Sequence, residues 1–576
     1  MKTEIILDLT DVTAKKDSHL EIENQNQLTN LEDIRNGAGK PYATIEKNAF
    51  LLDGNERILV EGLNQNIGYC SANLSNEAGM FENPIHLTIN FDIYHTSAGI
   101  TIVFGDDSYC NDLDITYWSD SKKVFESKYN PTSQIAYLDK NVVENYNKIE
   151  ITFYSTNIPY RYLKIFDIIY GFEKVFSDAE IESANSDHSI NILSSELRVS
   201  TLDFSIVDKS SNFNVVNPQG YYKDMQENQK VSVYEHLNDK KIFVGNFYLT
   251  EWSNPSVAKA DFQAQDIIGV LDNYTYYGGL HKNVLAKTII EKIMEIADIT
   301  DYIIEDECAD INISGYMPIS TCREALQQIL FIIGCACNTS GVESLRIYKP
   351  QNTVVDSFIE DNRKEVDTTE VELNQKITGI EFSLSNYALK EELKELAKGY
   401  LSGVTRVTFN NPIDPSSIVL TNCDLIEASY NYAIIACDID KEYKIQAFEY
   451  EETQTSMLIQ RLTKENIKEN ILTVKENKLV NSDNLTQIAD RIFNLYNATY
   501  KTTVDIGGDT EQLGDFISVN TFNNFKLLGN ITGISSDLKG GFKQNVTIDN
   551  AILKQGTTVY SYTGVYCGYV GIREGV

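Results

Sequence analysis

A chain of 576 residues exceeds what one hydrophobic core supports, and at roughly 150 residues per domain it divides into about three to five folded units. Its 83 acidic against 49 basic residues give a formal net charge of -34, which repels nucleic acid and anionic lipid and argues against stable binding of either. Hydrophobic residues at 42%, with 34 Tyr and 24 Phe, exclude a disordered chain and favour strands.

The N-terminal MKTEIILDLTDVTAKKD has too short an apolar run for a signal peptide, and no stretch approaches the roughly 18 apolar residues of a membrane span. Synthesis in a cytoplasm is the expectation. Residues 1–75 read as a polar, extended segment rich in Asn and Glu, with strand-like fragments YATIEKNAFLLDG and RILVEGL. From Pro84 the pattern sharpens: Ile85, Leu87, Ile89, Phe91 and Ile93 alternate with polar residues, and Ile100, Ile102 and Phe104 repeat the pattern after a turn. With further short strands predicted near 114–118, 134–138, 148–154 and 163–170, residues 76–190 form a β-sandwich or jelly roll.

Residues 191–275 make a second β block, in which Leu202, Phe204 and Ile206, then Val231 and Val233, then Val244, Phe247 and Leu249, then Ala258, Ala260, Phe262 and Ala264 mark strands of a small barrel. The period then changes. Asn283 is placed to cap a helix with Leu285, Ile289, Ile293 and Ile296 on one face, and Thr321 with Glu324 forms a capping box before ALQQILFIIG, so residues 276–350 read as a compact α/β insert. Over residues 351–550, strands ITGIEFSLS and VTRVTFNNPI flank NYALKEELKELAK, predicted as a charged helix with Leu389, Leu393 and Leu396 as its stripe. A helix bearing Leu485, Ile488, Ala489, Ile492 and Leu495 then leads through a Gly514-Asp515 turn into strands that complete a second barrel. Residues 551–576 remain as a C-terminal tail, which leaves no room for a further enzymatic domain.

The nine cysteines are odd in number and sit mostly in apolar runs such as FIIGCAC, so they read as reduced core residues. Cys335 and Cys337 form CxC rather than the CxxC of zinc ribbons, and the six His are dispersed. None of HExxH, GxSxG, GxxxxGK[ST] or GxGxxG occurs, so no catalytic residue, metal or cofactor is assigned. Asp106, Asp107, Asp112 and Asp114 in FGDDSYCNDLDI could hold calcium, which takes several oxygen ligands, but they lack the spacing and central Gly of an EF-hand and read more readily as a solvated loop. Tyr109, Tyr117 and Trp118 could form a sugar-stacking platform, although alternation sends some of them into a core.

The span from about Ser194 to Asn550 resembles the tail hub proteins of phages and contractile injection systems, VgrG-like hubs and the N-terminal hub part of tail-associated proteins of phages of Gram-positive bacteria among them. The stretches that carry the resemblance are GNFYLTEWS, ADFQAQDIIGVLDNYTYYGG, ISGYMPISTCREALQQILFIIGCACNTS and LGDFISV. NAFLLDGN, IGYCSANLSNEAGMF and the strands after Pro84 are similar to an N-terminal jelly roll found on such hubs. The resemblance implies a mainly-β, multidomain chain with two tube-like barrels flanking the α/β insert. It also implies a homotrimeric ring that adapts a sixfold tail tube to a threefold tip and lets DNA or another payload pass. The implied partners are further copies of the chain, the distal tail protein, the tail tube protein, the tape-measure protein and a tip or receptor-binding protein, at a virion tail tip or baseplate. Two other readings stay open: recognition of host cell-wall glycan through the sandwich, and a cell-wall hydrolase. The acidity fits either a soluble surface or the wall of a conduit for DNA.

Overall fold

A computed structural model describes residues 2–25, 68–350 and 369–555 with short interruptions, together with isolated positions between 26 and 67. The fragments YATIEKNAFLLDG and RILVEGL and the C-terminal tail beyond Gln555 lie outside the described residues, while residues 551–555 end the strand Lys543–Gln555. The chain is mainly β and multidomain, as its alternation predicts. No described helix is long and apolar enough to cross a membrane.

Two sheets make the sandwich. One holds Ser18–Ile22, Met80–Ser97, Val143–Ser155, Leu113–Ser119 and Lys122–Tyr129, and the other Tyr69–Cys70, Lys164–Ile169, Ile100–Phe104 and Ile135–Leu138. Their inner faces meet in one core where Ile85, Leu87, Ile89, Ile102, Ile151 and Phe153 interdigitate. Ile93 departs from its predicted place and is 58% exposed, because the ladder shifts register between Asn90 and His95 and turns the strand over. His95 is buried instead, held between Asp11 and Asp17 at 2.9 Å each, which ties the helix Val12–Asp17 to the sandwich.

The second architectural unit is a 12-stranded sheet. Its path runs Gly171–Ser177, Lys2–Thr10, Lys230–Leu237, Lys240–Ser256, Lys259–Gln265, Thr201–Val207, Ile181–Ser189, Phe525–Asp537, Lys543–Gln555, Tyr500–Gly507, Glu370–Leu373, and Phe516–Asn520 branches onto Phe525–Asp537. The two predicted barrels are therefore the two curved ends of one continuous sheet, and neither closes on itself among the described residues. Each end keeps its own core, around Phe204, Phe247 and Phe262 in one and Val504, Ile531 and Val546 in the other. The inward positions read from alternation are buried as expected, except Ala258, which lies in a turn. Lys2–Thr10 sits inside the first end, burying Ile5, Leu7 and Leu9, although it precedes the sandwich in sequence.

The α/β insert packs helices Ala286–Ile296 and Cys322–Ile333 around Ile289, Ile293, Leu326 and Ile329. The capping box between Thr321 and Glu324 is present. The other predicted cap is not: Asn283 lies in the strand Gly279–Leu285 with φ 55°, and Leu285 occupies the cap position, 42% exposed. Helix Leu485–Asn497 buries its predicted stripe on this same core, and Arg491 donates to the Phe331 and Ile332 carbonyls at the far end of helix Cys322–Ile333, a favourable place for a cation. Cys308 and Cys335 are joined in a disulfide, which corrects the expectation of nine reduced thiols; their local runs are apolar, and only the fold brings them together. The Gly514-Asp515 turn is structural. Gly514 has φ 87° and a Cβ there would overlap the Tyr348 hydroxyl, while Asp515 accepts from the Gln512 amide at 3.1 Å.

The largest correction concerns NYALKEELKELAK. It is no helix but part of the strand Gly379–Gly399, paired antiparallel with Tyr443–Gln460 along most of its length. Helix propensity gave way to a ladder that satisfies the backbone from a neighbouring strand. The charges pair across that ladder: Lys390 with Glu451 at 2.7 Å, Lys394 with Glu449 at 2.5 Å and Lys444 with Glu395 at 3.0 Å.

Where the two ends of the large sheet join, Ser186 faces Ser536 and His188 faces Ile534. His188 is buried against Phe247, borders a cavity of about 160 Å³ with Ser536 and Gln544, and has no hydrogen-bond partner on either ring nitrogen among the described residues. Burial lowers its pKa from 6.5 to about 4. The unfolded chain thus takes up a proton that the folded chain refuses, and stability falls as pH drops from 6.5 to about 4, by about 3 kcal/mol in all. Buried Glu235 and Asp266, pushed up by burial to about 7 and about 6, act in the opposite sense and lose stability as pH rises towards those values. The difference between the parent and His188→Phe isolates the histidine: the denaturant midpoint at pH 7 minus that at pH 4.5 should be smaller in the variant than in the parent, and an unchanged difference would contradict a neutral His188.

Candidate functional site

Of the acidic loop, Asp106 and Asp107 lie outside the described residues. Asp112 and Asp114 stand at the entrance to the strand Leu113–Ser119 and share a lysine: Lys128 Nζ is 3.5 Å from Asp112 and 4.0 Å from Asp114. The Tyr154 hydroxyl donates to Asp114 at 2.7 Å, which pushes the phenol up to about 12, and the Lys128 ammonium stands 5.1 Å from the Tyr154 ring. One protein cation thus lies beside both described carboxylates and offsets part of their charge. Among the described residues, no cluster of three or more His, Cys, Asp or Glu stands close enough to hold a metal ion.

The three aromatics do not share a face. Alternation along Leu113–Ser119 turns Tyr117 fully into the core, edge-on to Tyr146 at 5.1 Å, and turns Trp118 outward. Trp118 donates to Glu150 at 2.9 Å and has the Lys148 ammonium 4.7 Å from its ring. Tyr109 is half-buried against the sandwich core, its amide donating to Asn157 at 2.8 Å. Tyr117 has no surface to offer a sugar, so any stacking would fall to Trp118 and Tyr109 separately.

A different surface stands out physically. Every residue from Ala388 to Glu395 and from Thr453 to Leu458 is exposed, the first run opposite the mostly half-buried residues 446–451 and the second opposite residues 381–386, in a four-stranded sheet completed by Val419–Thr421 and Ile471–Val474. Leu389, Leu393, Met457 and Leu458 lie on it at 38–47% exposure. Beyond it a three-stranded sheet of Gly403–Thr408, Tyr432–Cys437 and Cys423–Ala428 adds exposed Val404, Leu425 and Ile426 around a small core of Phe409, Ile435 and Ile445.

This arm is rigidly rooted. Asn431 is fully buried and donates to the Tyr277 and Met317 carbonyls at 2.7 and 3.2 Å, while accepting from Tyr316 at 3.0 Å. The Arg406 guanidinium lies 4.1 Å from the Tyr277 ring and 4.9 Å from Tyr432. Sequence reading missed the arm because its Leu residues also satisfy helical spacing. A signal that could have found it is that Lys390 and Lys394 of KEELKE meet Glu451 and Glu449 of FEYEE when the two are laid antiparallel. Chemically the surface offers apolar area and backbone-paired strands, which suits association more than catalysis. Tyr117→Ala should destabilise the chain by about 3–5 kcal/mol, as loss of a large core aromatic does, whereas Trp118→Ala should cost about 1 kcal/mol; urea midpoints of the two variants check the split.

No protein-family model matches this chain, and no curated protein matches it. Among solved structures it is similar to prophage tail protein gp18 from Listeria monocytogenes EGD-e, at 10% identity and a TM-score of 0.38, over 66% of this chain and 91% of that one. A tail protein from Neisseria meningitidis MC58 matches at 11% identity and a TM-score of 0.37, over 65% of this chain and 93% of that one. A 43 kDa tail protein of prophage MuSo2 from Shewanella oneidensis matches at 9% identity and a TM-score of 0.37, over 66% of this chain and 95% of that one. Two of these three solved structures are prophage tail proteins and the other is a tail protein.

Proposed function

We propose that this chain is a structural baseplate hub of a phage tail or tail-like particle, a homotrimer whose ring adapts a sixfold tube to a threefold tip and passes DNA or another payload. The observation that carries the reading is the arm's exposed apolar side chains, Leu389, Leu393, Met457 and Leu458 on one sheet and Val404, Leu425 and Ile426 on the next. The arm holds these apolar side chains in solvent on a buried, hydrogen-bonded root. Neighbouring copies of the chain would cover them. The large sheet fits the same role, since its terminal strands Gly171–Ser177 and Glu370–Leu373 each leave one edge unpaired among the described residues. A net charge of -34 suits a conduit past which a polyanion slides without sticking. In this reading the distal tail, tail tube and tape-measure proteins and a tip or receptor-binding protein meet the ring, and the chain performs no catalysis.

Sedimentation equilibrium of the purified chain should give three times its 65.1 kDa mass. Leu389→Glu combined with Leu393→Glu should shift the population towards monomer with an unchanged circular dichroism spectrum. A parent that stays monomeric throughout the micromolar range would overturn the trimer.

A further inference from the structure

Six free cysteines remain among the described residues, and two of them face each other. In the arm's outer sheet, Cys423 at the start of Cys423–Ala428 stands directly opposite Cys437 at the end of Tyr432–Cys437. Residues directly opposed in an antiparallel pair have Cα atoms about 4.5–5.5 Å apart and side chains on one face, inside the roughly 4.4–6.8 Å window of a disulfide. The two thiols are also within hydrogen-bonding contact, and Cys423 is pushed up to about 11 by burial and by its neighbour. Cys437 lies in the small core of the arm while Cys423 is only half-buried, so one sulfur is open to a soluble reagent and the other is held behind it. The bland alternative is two small core residues that happen to be neighbours, but it does not account for the open sulfur.

We propose that Cys423 and Cys437 are a redox-responsive thiol pair that closes into a cross-strand disulfide and staples the outer sheet of the arm. The oxidant is a low-molecular-weight disulfide such as oxidised glutathione. The Cys423 thiolate attacks it, forming a mixed disulfide and expelling one glutathione thiolate. The Cys437 thiolate then attacks the Cys423 sulfur and expels the second. Two protons and two electrons leave the protein, and one glutathione disulfide becomes two thiols. Because the Cys423 thiol titrates at about 11, its thiolate is scarce at neutral pH, so closure is slow there and accelerates as pH rises. The staple would join the two strands at the open end of their hairpin, beside exposed Leu425 and Ile426. The inference rests on register and exposure in one chain and stands whether or not the chain trimerises.

The test uses the folded full-length chain, incubated with oxidised or reduced glutathione, blocked with iodoacetamide, digested without reductant and read by mass spectrometry. The expected result is one cross-linked peptide pair holding Cys423 and Cys437, lighter by two hydrogens than the two thiol peptides and lost on reduction. Cys437→Ser should trap glutathione on Cys423, and Cys423→Ser should remain unmodified at Cys437. Closure in the parent should accelerate about tenfold per pH unit between pH 7 and 9, following the thiolate fraction. Equal alkylation of both thiols with and without oxidant would overturn the proposal. So would glutathione retained on Cys423 of the parent, or linkage of Cys423 to any other cysteine.

Discussion

The structure depends on one run of backbone hydrogen bonds, the pairing of Ile181–Ser189 with Phe525–Asp537. It joins a strand just after the sandwich to a strand near the end of the described chain. Without it the two curved ends of the large sheet would be separate small units, each with a modest core and a free edge at the break. With it they form one surface to which the α/β insert is attached, and two polar attachments are among those that hold the insert. Asp266 makes the first: it caps the helix Ile267–Val270 through the Ile268 and Gly269 amides and accepts from Thr339 at 2.7 Å. Arg491 makes the second, through the carbonyls of Phe331 and Ile332.

The same seam is where the interior is most polar. Ser186, His188, Ser536 and Gln544 gather there with polar atoms that lack partners among the described residues. Burying such groups costs stability, and an apolar seam would hold more tightly. A seam that is firm through its backbone and polar in its side chains is specified by register more than by grease: a slip of one residue would turn Ile534 and Ile181 outward and bring their polar neighbours in.

Local pattern was legible wherever it is decided locally. Leu202, Phe204 and Ile206 alternate because one face of their strand is wet, and the Thr321–Glu324 box is a four-residue matter. The Gly514 turn was legible because no other residue fits it. What could not be read is what distant chain supplies. Lys2–Thr10 shows clear alternation, yet nothing in it says that its neighbours are Gly171–Ser177 and Lys230–Leu237. Cys308 and Cys335 look like any buried thiols until the fold places their Cα atoms 6.3 Å apart. For the site residues the limit was similar: alternation warned that Tyr117 and Trp118 point opposite ways, but not that Lys128 would stand between Asp112 and Asp114.

The misread segment is the informative one. Leu389 and Leu393 lie four apart and satisfy a helix, and as a monomeric helix they would need a core to lie on. In the strand they occupy they face water instead, while Lys390, Lys394 and Lys444 find carboxylate partners across the ladder. Net attraction for solvent is thereby reduced on a surface that already exposes apolar atoms, which is the condition of an interface rather than of a soluble face. A fold otherwise consistent at every level breaks its own rules here, with uncovered apolar side chains on an arm held firmly by Asn431 and Arg406. Rigid support under uncovered apolar side chains is the physical feature on which the proposed association of copies of this chain rests.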